Sequence, residues 1–304
     1  MSVIETLLRA SIDYAGLFPP AGLDMDTAVG NFARYRASPE AWALGRFIVS
    51  VSHLSEFEAA ARRHPIPAAG EPWLLGTLAG LDPGSDLEQL RQFSLRHGSG
   101  APVFTADTFE VKATSNSAIE EIMRQAPADL QVYVEVPIDR DPSDLIATIG
   151  RLGGRAKVRT GGVTPEAFPR TTDLVRFIRG CIMAGVPFKA TAGLHHPLRA
   201  EYRLTYAPDS PRATMFGFLN LFLASAFLRA GMQDVDAARL LEEGSPEAFR
   251  IDDAGISWHD YRLDQESLSE ARRVGMISFG SCSFTEPIAD LQSLHLLEPR
   301  AQRA

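Results

Sequence analysis

Short β-rich runs alternate with helical stretches from one end of the chain to the other. Eight runs carry the branched and aromatic residues typical of strands: Asp13–Phe18, Phe47–Val51, Trp73–Leu78, Phe109–Ala113, Val132–Val136, Ala156–Thr160, Phe188–Ala192 and Ile277–Ser281. Between them apolar residues recur at spacings of three and four, as in Leu54, Phe57, Ala60 and Ala61, or Leu174, Phe177, Ile178 and Cys181. That spacing predicts amphipathic helices. Strands that alternate with helices form right-handed βαβ units and a parallel sheet. Eight such units predict closure into an α/β (β/α)8 TIM barrel, with a doubly wound open sheet as the second reading. Asp24 marks a helix start, Ser55 with Glu58 three residues later has capping-box spacing, and Pro165 suits a first turn.

One interval breaks the rhythm. Residues 193–276, between the seventh and eighth runs, exceed what a single crossover needs. They are predicted as a helical insertion packed over or beside the barrel mouth. It holds the uncharged segment Ala213–Leu228, a helix near Asp236–Glu243, a turn-rich Ile251–Trp258 segment and a helix near Glu266–Arg273. The uncharged segment is shorter than the roughly 18–20 residues of a membrane span. It is predicted as a buried helix, with a subunit contact in a homo-oligomer as the alternative. A TIM barrel needs about 250 residues, so residues 1–304 are read as one barrel domain carrying this insertion.

Composition narrows the function classes. With 45% hydrophobic and 22% charged residues, the chain is a folded globule rather than a disordered one. A net charge of −8 with acidic residues spread along the chain leaves no basic stripe for nucleic acid and no polybasic patch for a membrane. Two cysteines, Cys181 and Cys282, make no disulfide framework, and the start lacks a signal-peptide pattern; both predict a cytoplasmic protein.

The candidate chemistry lies in charges placed inside strands. Lys157 and Arg159 share one face of their run, as do Lys189 and Thr191, because strand side chains alternate. Phe109-Glu110-Val111-Lys112 and Val132-Tyr133-Val134-Glu135 repeat the pattern. Neither face of a barrel strand is freely wet, so these charges must pair with one another or sit at the mouth. An ion-pair network filling the barrel, with Lys157–Glu135 as a typical pair, is the plain structural alternative. Glycines follow both lysines, at Gly161 and Gly193, on the side where barrel active sites lie. Like charges lower each other's pKa, so one amine of the pair is expected to be neutral near pH 7. A neutral amine attacks a carbonyl to form a Schiff base, and Glu135 or Asp13 would move protons.

The mouth carries further candidates. His195-His196 predicts hydrogen bonding to substrate or acid–base work, with metal ligation as the lesser reading because the spacing is not that of paired ligands. Cys282 is a nucleophile or a small buried residue. Glu286 reaches the mouth or begins a helix. Phe18-Pro19-Pro20 shapes a rigid loop after the first run.

With these residues in view, the chain resembles deoxyribose-phosphate aldolase and its class I aldolase relatives. Ile12-Asp13 is similar to that family's Ile-Asp-His-Thr opening, and Leu130–Glu135 to its fifth strand, which ends in glutamate. Lys157-Val158-Arg159-Thr160-Gly161 resembles its Lys-Thr-Ser-Thr-Gly Schiff-base strand. Lys189-Ala190-Thr191-Ala192-Gly193 resembles its Lys-Ala-Ser-Gly-Gly strand. Phe279-Gly280-Ser281-Cys282-Ser283 resembles its final Phe-Gly-Ala-Ser-Ser strand, whose loop helps hold a phosphate. The resemblance implies a TIM barrel in which Lys157 forms the imine, Lys189 depresses its pKa, and Gly280 and Ser281 contact substrate. Lys112 stands where the family has a proton-transferring aspartate, Arg159 replaces a small hydroxyl residue, and Gly193-Leu194-His195-His196-Pro197 replaces a short phosphate-binding turn. These departures point to a distant relative acting on a small anionic carbonyl compound such as a keto acid. The expectation is therefore an aldolase-like lyase working without a cofactor or metal. The alternatives are a metal-assisted barrel enzyme using His195, His196 and Glu135, and a non-catalytic anion-binding barrel using Lys112, Arg159 and Lys189.

Overall fold

The computed structural model describes residues 2–64, 72–97 and 103–298; the remaining positions of the 1–304 span lie outside the described residues. Eight parallel strands close into a barrel: β1 (Ile12–Tyr14), β2 (Leu44–Ser50), β3 (Trp73–Leu78), β4 (Phe104–Lys112), β5 (Gln131–Glu135), β6 (Arg155–Arg159), β7 (Phe188–Thr191) and, after the insertion, β13 (Met276–Ser281). Neighbours run in chain order and β13 closes onto β1, with Ile12 opposite Phe279. The chain is a (β/α)8 barrel, and the open doubly wound sheet is excluded.

Helices alternate with the strands. A short α1 (Val3–Leu8) precedes β1, and α2 (Met25–Arg36), α3 (Leu54–Ala61), α4 (Pro83–His97), α5 (Asn116–Gln125), α6 (Ser143–Arg151) and α7 (Thr171–Ala184) follow β1 to β6 in turn. Asp24 caps α2, its carboxylate accepting the Thr27 N–H at 2.9 Å. Pro165 opens a short 3-10 turn, as its fixed φ allows. Ser55 does not cap α3; that helix starts one residue earlier, directly after a 3-10 turn, so Ser55 lies inside its first turn. On one side of the barrel Phe32, Phe47, Phe57, Trp73 and Phe104 meet ring to ring at 5.1–6.4 Å, joining α2 and α3 to β2, β3 and β4. Such rings dominate core energetics through the apolar area they bury.

Two strands, β1 and β4, have one end displaced by four residues or more from the predicted extent. β1 ends at Tyr14 rather than Phe18: Ala15 still donates to the Ser281 carbonyl at 2.7 Å, then Phe18 N–H turns back to Ala15 O. Pro19 and Pro20 have no N–H to continue a ladder, so this segment crosses the mouth instead. β4 begins at Phe104, five residues before the predicted start, because the polar stretch Thr105–Thr108 hides a strand whose Asp107 pairs with Arg46 at 2.6 Å.

The insertion is not purely helical. It begins with a hairpin, β8 (Ala200–Arg203) and β9 (Arg212–Met215), continues through α8 (Phe218–Arg229) and α9 (Asp234–Leu241), then forms an antiparallel sheet of β10 (Phe249–Asp252), β11 (Gly255–Trp258) and β12 (Tyr261–Asp264) before α10 (Gln265–Val274). The turn-rich segment is thus a strand pair. Helix α8 packs on α7 and β13, with Phe218 stacked on Phe279 at 4.7 Å, so it occupies the ring position of the seventh barrel helix. A last helix, α11 (Thr285–Ser293), follows β13. The early hairpin lies at the mouth, where Leu204 and Met215 line its cavity, whereas α9 and the three-stranded sheet pack on the outer side of α8.

Helix α8 is apolar around its circumference because α9, α10 and β12 cover the side that a barrel helix usually exposes. Its burial is completed within one chain, so no subunit contact is needed to cover it. Its one amide, Asn220, is fully buried; it donates to Leu240 O at 2.8 Å and Glu243 O at 2.9 Å and accepts the Arg199 N–H at 3.1 Å. Asn220→Leu should strand these three groups and cost about 3 kcal/mol, read as a lowered denaturant midpoint. A midpoint equal to the parent's would mean that α9 is not held through this amide.

Candidate active site

Four side chains from successive strands lie in one register row. Lys112 pairs with Glu135, Glu135 with Lys157, and Lys157 with Lys189 across β4, β5, β6 and β7. Alternation turns all four toward the barrel axis. One layer deeper, Glu110 sits between the two lysines. Lys157 Nζ lies 2.8 Å from Glu110 Oε2 and 2.9 Å from Glu135 Oε2. Lys189 Nζ donates to Glu110 Oε1 at 2.7 Å and to Asp13 Oδ2 at 2.5 Å, with the Tyr133 ring 5.6 Å away. Asp13 is itself saturated, accepting from Ser278 Oγ at 2.8 Å and from the Arg46 N–H at 2.9 Å. Lys112 adds a looser contact, 3.4 Å from Glu135 Oε1. Lys112 is largely exposed, so the buried part of the cluster sets Lys157 and Lys189 against Asp13, Glu110 and Glu135.

This arrangement overturns the expected pKa order. Burial by itself would lower Lys157, but Glu110 and Glu135 outweigh it and hold the amine above its ordinary value. Burial likewise opposes the charge on Lys189, and Asp13 with Glu110 reverses the effect. Desolvation would raise Glu110, yet the two lysines bring it down to about 2. Glu135 is lowered in the same way by Lys157. Like-charge repulsion between the lysines is therefore not the governing effect, because a carboxylate stands between them. Both amines rest as ammonium ions.

A cavity of about 300 Å³ opens above this cluster at the C-terminal ends of the strands. Glu110, Lys157, Arg159, Lys189, Thr191, Gly193, His195, Gly280 and Cys282 line it, with Phe18, Pro19 and Pro20 along one edge. Lys157 retains 8% exposure and Lys189 only 1%, so Lys157 is the more accessible amine. Gly193, at φ +71°, sits where an added Cβ would lie 2.9 Å from the Phe168 ring, so the β6 and β7 loops meet closely there.

Several predicted site residues stand elsewhere. The Lys112 side chain is 74% exposed and lies outside the cavity lining, because it ends β4 at the rim. Asp13 is sealed below the cluster and positions Lys189. Gly161 packs on Phe168 and accepts from Arg159 Nε at 3.1 Å, while Gly162 takes the lining position. Ser281 is buried 3.4 Å from His195 Nδ1. Glu286 lies on an adjoining outer pocket, its Oε2 3.4 Å from His195 Nδ1. Burial opposes charge on His195, yet Cys282 and Glu286 beside Nδ1 raise it to about 9. His196 turns to Asp290 at 2.5 Å and stacks on Tyr202. The two histidines thus face different carboxylates while Glu135 is held by Lys157. Among the described residues no group of three or more His, Cys, Asp or Glu side chains is arranged to hold a metal ion, so the proposed ligand set is not brought together.

Sequence reading missed Glu110 as a site residue, although its place two positions before Lys112 puts it on the same face. It also missed Ser278 and the Thr191 hydroxyl, for which only the assembled barrel supplies the partner or the cavity.

Fold and site together define a TIM barrel with a lysine–carboxylate cluster at its mouth, an architecture compatible with an enzyme. Comparison of the chain with protein-family models, with curated proteins and with solved structures returns no match in any of the three. Among the described residues no helix is long and apolar enough to cross a membrane.

Proposed function

We propose that the protein is an aldolase-like lyase that acts on a small anionic carbonyl compound through a Schiff base on Lys157. The observation that carries this reading is the placement of Lys157 Nζ on the cavity wall within hydrogen-bond reach of two carboxylates, Glu110 and Glu135. The resemblance of the lysine strands to those of deoxyribose-phosphate aldolase supports it. At rest the amine is charged and unreactive. A substrate that fills the cavity displaces water, and loss of water disfavours an ion pair relative to its neutral form. The proton then passes to Glu135, the less buried of the two carboxylates, and the free amine adds to the carbonyl carbon. The carbonyl oxygen leaves as water, taking the two remaining amine protons. Once reprotonated, the imine accepts the electron pair of an adjacent carbon–carbon bond as that bond breaks, and the reverse flow makes the bond.

Small aldehydes or keto acids with borohydride should leave a stable reduced adduct on Lys157, located by peptide mass. Trapping should quicken as pH rises above neutral, since the amine is held charged. Lys157→Met should abolish both trapping and turnover. The fold should survive, because Glu110 keeps Lys189 and Glu135 keeps Lys112. An adduct on Lys189 would reverse the two roles, and no adduct with any carbonyl compound would refute the mechanism.

A further inference from the structure

We infer that Arg159 and Thr191 form a carboxylate subsite, so that the imine-forming substrate is a 2-oxo acid whose carboxylate is bonded directly to the reacting carbon. The inference rests on the Schiff-base reading and deepens it. Among the lysine and arginine side chains lining the cavity, Lys157 and Lys189 are each committed to two carboxylates. Arg159 is not. Its Nε donates to the Gly161 carbonyl at 3.1 Å, and among the described residues no carboxylate pairs with its guanidinium. Opposite it in the β6–β7 register stands Thr191, a residue of the cavity lining whose Oγ1 is buried without a hydrogen-bond partner. A buried hydroxyl left unpaired is costly, and a planar guanidinium fork matches a carboxylate. One ligand carboxylate would satisfy both.

Spacing sets where that carboxylate stands relative to the carbonyl. Arg159 lies two residues beyond Lys157 on the same face of β6, about 7 Å along the strand. An imine carbon on Lys157 with a carboxylate directly attached fits this interval, and the cavity of about 300 Å³ suits a small acid. A remote phosphate is disfavoured at the position barrels commonly use for one, the helix N-terminus after the last strand. There the chain supplies its own anion. Glu286 lies in the first turn of α11, faces His195 and receives a hydrogen bond from Tyr206 at 3.2 Å.

The test uses the full chain and two probes, pyruvate and the neutral aldehyde propanal. The readout is the ratio of their borohydride-trapping rates on Lys157. Arg159→Gln should lower the pyruvate-to-propanal ratio about tenfold or more, the worth of a charge-assisted pair. Arg159→Lys, which keeps the charge and loses the fork, should recover only part of it. Calorimetric binding of pyruvate to Lys157→Met reads the subsite without the imine, and adding Arg159→Gln there should weaken binding by a similar factor. An unchanged ratio, or pyruvate binding indifferent to Arg159, overturns the subsite even if Lys157 is trapped. Arg159-dependent pyruvate binding without any trapping keeps the subsite and removes the Schiff-base reading. Inorganic phosphate that competes more tightly than pyruvate would also overturn the carboxylate assignment.

Discussion

Glu110→Ala is expected to destabilise the protein by about 3 kcal/mol, the range found when one partner of a buried ion pair is removed. Glu110 is 3% exposed at the cavity lining and its two oxygens each hold one lysine. Without it, two ammonium groups face each other across adjacent strands with no charge between them. Asp13 and Glu135 remain, so the loss belongs at the low end of that range. Lys112→Ala gives the contrast. Its side chain is exposed at the rim and its contact with Glu135 is long, so its removal should cost less than about 0.5 kcal/mol. Urea unfolding of both variants measures the difference. Equal losses, or a Glu110→Ala loss under about 1 kcal/mol, would show that the cluster is hydrated rather than sealed.

The same cluster should give stability a steep acid limb. Glu110 titrates near 2 in the folded barrel against 4.5 for a free glutamate. A lowered folded pKa contributes stability that is fully present above the unfolded value and is lost as pH falls through the folded one. About 3 kcal/mol should therefore disappear between pH 4.5 and 2, because each tenfold change in proton affinity is worth about 1.4 kcal/mol. On the alkaline side Lys157 and Lys189 are raised above 10.5, so their contribution is fully present below that value and is lost as pH rises from there through their elevated pKa. Both limbs describe the same contacts and are not added. Urea midpoints measured from pH 7 downward should fall mainly below 4.5, and Glu110→Gln should start lower and flatten that limb. A variant with the parent's acid limb would assign it to carboxylates elsewhere.

Particular elements show how much was legible beforehand. Eight runs separated by helical spacing announced the barrel because parallel strands buried on both faces must be apolar, and that composition is visible locally. The lysines stood out for the opposite reason: a charge inside such a run is conspicuous. Their partners were less visible. Glu110 was passed over for Lys112 because strand alternation gives the face of a residue and not its depth along the barrel axis. The β8–β9 hairpin and the β10–β12 sheet escaped because strands of four residues with polar outer faces leave too few periods to be recognised.

By itself, then, the sequence determined the alternation of barrel strands and helices and the strand faces carrying Lys112, Glu135, Lys157 and Lys189, which follow from periodicities of two and 3.6 residues, while closure of the sheet was one of two readings it allowed. Only the tertiary structure decided the rest. Asp13 and Glu110 come to Lys189 from strands far away in the chain, and their proximity, not the spacing of the lysines, sets the sign of the amine pKa shifts. The physical reason is that an electrostatic shift depends on distance in space and on water exclusion, and neither is written in any local stretch of residues.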